Sequence, residues 1–261
     1  MTAGSYYERI DDHRFKPTHL AQGAWAPDEQ HFSPLGGLIV HAMDRHLADR
    51  PGLLLSRLSY DILGRLALDE CEVTVETVRP GRTIELIEAV VHISGRPVVR
   101  ARGWLLTAVD TTSVAGGTGL SLPAPETSPA WAMSETWPGG YVASLDVRTP
   151  VAPEPGRGTA WLSTPHTLVA GEPVSNLASF LTLVDTANGI AVRQQPTEWM
   201  FPNVDLTIHL HRQPEGSWTG LDTTVSFGPT GQGLTSTVLY DVAGPVGTAQ
   251  QILTVRPAPG K

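Results

Sequence analysis

The sequence predicts an α+β protein made of two tandem units, each a helix wrapped by an antiparallel β-sheet. Three observations predict it. One helical segment followed by four strand-like segments occurs twice along the 261 residues. A stretch rich in Gly, Pro, Ser and Thr, residues 110–137, separates the two occurrences and has the composition of a linker. The strand-like segments alternate apolar and polar residues and end at turns containing Gly or Pro. The expected units are residues 1–109 and 138–261, with Trp131 and Trp137 laying the linker against a domain surface.

In the first unit, PLGGLIVHAMDRHLADRPG predicts the helix. Leu38, Ile39, Ala42, Met43, His46 and Leu47 keep helical spacing, and Pro51-Gly52 stops it. The strands follow as LLLSRLSYDIL, ECEVTVETV, TIELIEAVVHI and VVRARGWLLT, with turns at RPGR and SGRP. In the second unit, VSNLASFLTLVDTANGIAV predicts one helix, with Ser175 or Asn176 as its N-cap. Its strands are NVDLTIHLHR, WTGLDTTVSF, LTSTVLYDV and TAQQILTVRP, with turns around GPTGQG and AGPVG. Upstream, YVASLDVRTP and GTAWLSTPHTL add further strands. A helix followed by four antiparallel strands is one packing unit, because the curved sheet buries the helix's apolar stripe. Two copies side by side approximate an internal two-fold axis, the double hotdog arrangement.

Composition excludes several function classes. The chain is 41% hydrophobic and 17% charged with no long polar tract, so it is globular rather than disordered. Its formal charge of −8, with scattered Lys and Arg, argues against nucleic acid, whose binding rests on neutralising phosphates. No apolar run is long enough to span a membrane, and the first residues lack the apolar core of a signal peptide. A soluble cytoplasmic protein is the expectation. Cys71, the single cysteine, shares an apolar face with Val73 and Val75 and reads as a small buried hydrophobe.

NVDLTIHLHR poses the functional question most directly. Val204, Leu206, Ile208 and Leu210 fall on one strand face, and Asp205, Thr207, His209 and His211 on the other. His209 and His211 stand about 7 Å apart along the strand, but Asp205 is roughly 13 Å from His211, too far to share one ion. No metal site is expected; His209 is read as facing a cleft or an interface. No G-x-S-x-G elbow occurs, so a serine-hydrolase mechanism has no support. GPTGQG lacks the Lys-Ser/Thr of a phosphate loop and leads into a strand, so it reads as a hairpin turn. Asp61 reads as structural, pairing with Arg57 or Arg65.

Taken in order, SRLSYDILGRL, ETVRPGRTIELIEAVV and GRPVVRARGWLL, then NVDLTIHLHRQPEGSW, LDTTVSFGPTGQGLTSTVLYDVAGPVG and AQQILTVRP, resemble the acyl-CoA thioesterase II-like family in its actinobacterial branch. The resemblance covers nearly the whole chain outside the linker. It implies a thioester hydrolase of fatty-acid metabolism that needs no cofactor and takes an acyl-CoA or acyl-carrier thioester, as a homodimer or larger assembly. Hydrolysing members hold water with an Asp, a Ser or Thr and a Gln. Motif by motif these fall on Asp205, Ser226 and Gln251, with Thr223, Thr224 and Gln250 as the alternatives if the register slips. Asp185 sits where single-unit relatives often place an acid and is read either as that acid or as a backbone or strand partner. Thioester chemistry also needs donors for the developing oxyanion, and Gly36-Gly37 at the head of the first helix are the candidates. The pocket lining is to be drawn from Trp25, Trp104, Phe180, Trp199, Met200 and Phe201. Two rivals stay open: a non-hydrolytic acyl-thioester-binding accessory protein, and a hydratase or dehydratase.

Overall fold

In the computed structural model, which describes residues 4–259, the first half contains β1 (Ser5–Arg9), β2 (Arg14–Pro17), α1 (Phe32–His46), β3 (Leu53–Ile62), β4 (Cys71–Arg79), β5 (Ile84–Ile93) and β6 (Arg96–Thr107). The second half contains α2 (Gly140–Ala143), β7 (Asp146–Glu154), β8 (Arg157–Ser163), β9 (Thr167–Val169), α3 (Asn176–Val184) and α4 (Ala187–Ile190). It continues with β10 (Trp199–Met200), β11 (Asp205–Leu210), β12 (Thr219–Phe227), β13 (Gln232–Asp241), β14 (Gly244–Thr254) and β15 (Arg256–Pro257). The four strands expected after each helix are present. The start of YVASLDVRTP differs: it forms the single turn α2 before β7 begins.

Thirteen strands make one sheet in the order β7-β8-β12-β13-β14-β11-β3-β6-β5-β4-β2-β1-β9. Outward from the β3–β11 seam, each half repeats the same sequence of counterparts, so the internal two-fold lies at that seam. The seam is antiparallel, with Leu206 opposite Tyr60 and Ile208 opposite Leu58, and all four side chains are buried. This is the double hotdog. The sheet also curls until its ends approach. β8 is second from one end of the order and β9 is the other end, yet only residues 164–166 join them, a span of about 14 Å at full extension. β9 pairs parallel with β1, with Tyr7 opposite Val169.

Within the sheet the two long helices pack against one another. α1 buries Leu35, Leu38, Ile39 and Met43, and α3 buries Leu177, Phe180, Leu181 and Val184. Gly37 is the close-approach point. A Cβ there would meet Thr182 Oγ1 at 2.0 Å and Ala178 O at 2.9 Å, so only glycine lets the backbones come this near. Helix α1 begins two residues earlier than its apolar spacing suggests, because the His31 side chain caps it by accepting the Ser33 N–H at 3.1 Å. The second helix differs too. It ends at Val184 and resumes at Ala187, which leaves Asp185 as the C-cap of α3.

Of the residues between the two halves, 129–137 are tied to the second half. Trp131 N–H donates to Val147 O at 2.8 Å, Thr149 N–H to Pro129 O at 2.9 Å, and Trp137 Nε1 to Gly189 O at 2.9 Å. Cys71 is buried, which pushes its thiol up to about 12. Among the described residues no helix is long and apolar enough to cross a membrane.

Candidate active site

The break between α3 and α4 delivers one carboxylate into the protein interior. Asp185 is 4% exposed. Its Oδ1 accepts from Asn203 Nδ2 and from Gln251 Nε2, both at 2.7 Å. Its Oδ2 lies 3.8 Å from His31 Nδ1 and takes no hydrogen bond from the described residues. Burial raises the acid from 3.8 to about 7, against the lowering effect of the two amides. The carbonyl end of α3 beside it acts in the same direction as burial. The result is a carboxyl poised near neutrality with one oxygen tied back and the other free.

Three elements bring its partners. Gln251 is on the inner face of β14 and is 1% exposed. Asn203 stands just before β11, bridged to Leu253, and also donates to Asp205 O at 3.1 Å. The strand alternation slips here: Val204 is 42% exposed although Leu206 and Ile208 are buried, and this slip turns Asn203 inward. His31, ahead of α1, stacks on Tyr141 with centroids 4.2 Å apart. Burial lowers its imidazole to about 3, so the ring is neutral. With Nδ1 accepting from Ser33, the proton is on Nε2, which has no hydrogen-bond partner among the described residues.

A hollow of about 180 Å³ opens on this group. Trp25, His31, Phe32, Ile62 and Leu66 line it with Asp185 and Asn203. Its back is an aromatic wall in which Trp25 meets Trp137 and Phe201 edge-on, at 5.0 and 5.4 Å between centroids. Trp25 and Phe201 are thus at the site. The other lining candidates are elsewhere: Phe180 borders a separate cleft, Trp104 lies under Arg79, and Trp199 and Met200 form the short pairing with β15.

The structure does not bring Asp205, Ser226 and Gln251 together. Asp205 is on the outer face of β11, opposite Asp61, with its Oδ1 accepting the Ile252 N–H at 2.6 Å. Ser226 is exposed on the outer face of β12, as is Thr224, whereas Gln251 points inward. Among the alternatives, Thr223 is buried and pairs with Thr237 at 3.0 Å, and Gln250 is exposed and accepts from Ser236. Gly36 and Gly37 lie beyond the first turn of α1, where the N–H groups are already committed to the i−4 carbonyls. Gly36 instead accepts from Tyr60 Oη at 2.9 Å, and Gly37 serves helix packing. His209 is exposed opposite Arg57 and borders an outer groove of about 950 Å³ formed with residues 111–119. Among the described residues no three His, Cys, Asp or Glu side chains gather in a metal-binding group. Sequence reasoning missed Asn203 and His31. His31 had one available signal, its place just before a Pro-containing helix start.

A family model described as the acyl-CoA thioesterase C-terminal domain matches residues 125–255, half of the chain. The chain belongs to the acyl-CoA thioesterase family. The model for that family's N-terminal domain matches residues 21–106. No curated protein sequence matches the chain at a significant level. Solved structures resemble it over almost their full lengths. A Novosphingobium aromaticivorans protein assigned as a thioesterase is 19% identical, covers 97% of this chain and 100% of its own, and has a TM-score of 0.72. A hot dog fold protein of unknown function from Alicyclobacillus acidocaldarius is 15% identical, with 96% of each chain covered and a TM-score of 0.71. The tesB protein of Mycobacterium avium subspecies paratuberculosis is 16% identical, with 96% of each chain covered and a TM-score of 0.68. At these identities the likeness establishes the fold, and this acyl-CoA thioesterase-family chain must be read for activity from its own residues.

Proposed function

We propose that this protein hydrolyses acyl thioesters, with Asp185 as general base. The observation that carries the reading is the buried carboxyl held near neutrality, one oxygen fixed by Asn203 and Gln251 and the other open toward a hollow. A base is most effective when its pKa lies near the working pH. Asp185 Oδ2 takes a proton from water, and the water oxygen attacks the thioester carbonyl. The His31 Nε2–H, a neutral imidazole donor, meets the developing oxyanion. Collapse breaks the C–S bond, and the proton on Asp185 passes to the departing sulfur. The products are the free acid and the thiol, and no covalent enzyme intermediate or bound metal takes part.

The size of the hollow supports a compact acyl group. A cavity of about 150 Å³ holds a benzene-sized group, so an open hollow of about 180 Å³ with both apolar and polar lining favours a short, branched or aromatic acyl group on coenzyme A or a carrier protein. Hydration of an enoyl thioester would need an acid and an imidazole working together. His31 and Asp185 are neighbours, but the 3.8 Å separation and the engagement of Nδ1 by Ser33 favour hydrolysis. A thiol-release assay over short, medium, branched and aromatic acyl-CoAs tests the proposal. Turnover concentrated in compact acyl groups is expected. Saturable binding without thiol release from any of them would replace it with an acyl-thioester-binding role.

A further inference from the structure

Among the described residues, two buried polar side-chain atoms have no hydrogen-bond partner, and they belong to facing residues. They are Gln251 Oε1 and Thr235 Oγ1. Thr235 is directly opposite Gln251 across the β13–β14 ladder, with both side chains on the inner face. Such opposed residues have Cβ atoms about 5 Å apart. One orphaned polar atom in an interior is costly, and two on directly opposed residues point to a hydrogen-bonded connection between them. Thr235 has no competing choice across its strands. Its other cross-strand neighbour is Val225, and Thr237 further along the strand is already bonded to Thr223.

The chemistry of Gln251 fixes which end of its amide faces which way. An ionised carboxylate only accepts hydrogen bonds. Gln251 therefore presents Nε2 to Asp185, and Oε1 is left on the other branch of the carboxamide. Neither Gln251 nor Thr235 lines the hollow beside Asp185. The orphaned pair is behind the carboxylate, out of reach of an acyl group there.

We propose that Thr235 is a positioning residue of this site, holding the Gln251 carboxamide through one buried water that bridges Thr235 Oγ1 and Gln251 Oε1. The inference rests on the reading of Asp185 as base. The hydroxyl donates to the water and the water donates to Oε1, a bridge nearly as favourable as a direct hydrogen bond. Anchored at its oxygen, the carboxamide neither flips nor swings away. Its N–H stays on Asp185 Oδ1, where it favours the ionised acid. Thr235 touches no substrate and acts only through Gln251.

The test uses the full-length chain and the acyl-CoA it turns over best. Thr235→Val keeps the shape and removes the hydroxyl; Thr235→Ser keeps the hydroxyl. For Val, KM should hold while kcat falls. The acid limb of the pH profile should move up by about one unit, which from a starting value of about 7 lowers the rate at pH 7 about fivefold. Ser should restore both. The other ionisable groups facing Asp185 are His31 ahead of α1, Tyr60 on β3 and Tyr141 on α2. None of them changes in these variants. A Val variant with an unmoved limb overturns the proposal, whether its kcat is intact or is reduced without rescue by Ser. Should Val fail to fold by circular dichroism, Thr235→Ala set against Ser gives the same comparison. Asp185→Asn run alongside separates the two readings. If it stays active, the base assignment fails; if it is dead and Thr235→Val behaves as wild type, only the role of Thr235 fails.

Discussion

Asp185→Asn is expected to change activity and stability in opposite directions. The folded acid holds its proton up to about pH 7, whereas the unfolded chain releases it near 3.8. Stability therefore declines, on account of this group, as pH rises from about 4 to 7, and is flat above that. The separation is about three units at roughly 1.4 kcal/mol each. The ionised acid thus costs the fold about 4 kcal/mol at most above neutrality, and about 2 once local relaxation is allowed for. Asn removes the charge while its carbonyl still accepts from Asn203 and Gln251, so the contacts at 2.7 Å survive. The variant should melt higher than wild type at mildly alkaline pH and no differently in acid. Its kcat should fall by roughly 10²–10⁴, the usual worth of a general base. Thiol release measured spectrophotometrically, with thermal melts across pH, reads both quantities. A variant that keeps more than about a tenth of wild-type kcat, or that melts lower at alkaline pH, refutes the reasoning.

Three further outcomes follow from the same geometry. His31→Phe keeps a ring on Tyr141 but removes the Nε2 donor; kcat should drop roughly 100-fold with little change in KM, and an unaltered kcat would remove His31 from the chemistry. Gly37→Ala drives a methyl into Thr182 Oγ1 and should cost about 1–3 kcal/mol in chemical denaturation. Thr182→Ala in the same chain should recover part of that, and a fully additive double mutant would show that the two do not meet. Asp205→Asn and Ser226→Ala alter only the outer face and should keep kcat within about threefold of wild type; a loss above about tenfold would return them to the catalytic set.

Strand positions were legible because alternation is a direct record of which side is buried. The order of parts repeated across Ala108–Pro138 was likewise enough to predict the paired units. The same alternation already argued against Asp205. With Leu206 and Ile208 inward, residue 205 must point out, and in TGLDTTVSF the inward set of Leu221, Thr223 and Val225 leaves Ser226 outside. Three site features depended on events the pattern does not encode. The helix over 174–192 breaks at Asp185, where the apolar spacing runs on without interruption. The phase slip at Val204, whose backbone is bonded to both neighbouring strands, turns Asn203 inward, and nothing in the residue pattern marks it. His31 acts as a cap through its ring nitrogen, a role usually filled by Ser, Thr, Asp or Asn.

The covering of β7 has a consequence for how copies of this chain can meet. Residues 129–131 run along its outer edge, bridging Ala130 to Arg148 and bonding on either side of it. At the other end the sheet stops in β9, which is three residues long. An exposed, long and flat edge is what recruits a strand from a neighbouring molecule, and neither end offers one. At these two ends, association by strand addition is therefore disfavoured. A sheet of thirteen strands is in this way kept from serving as the template for a fourteenth.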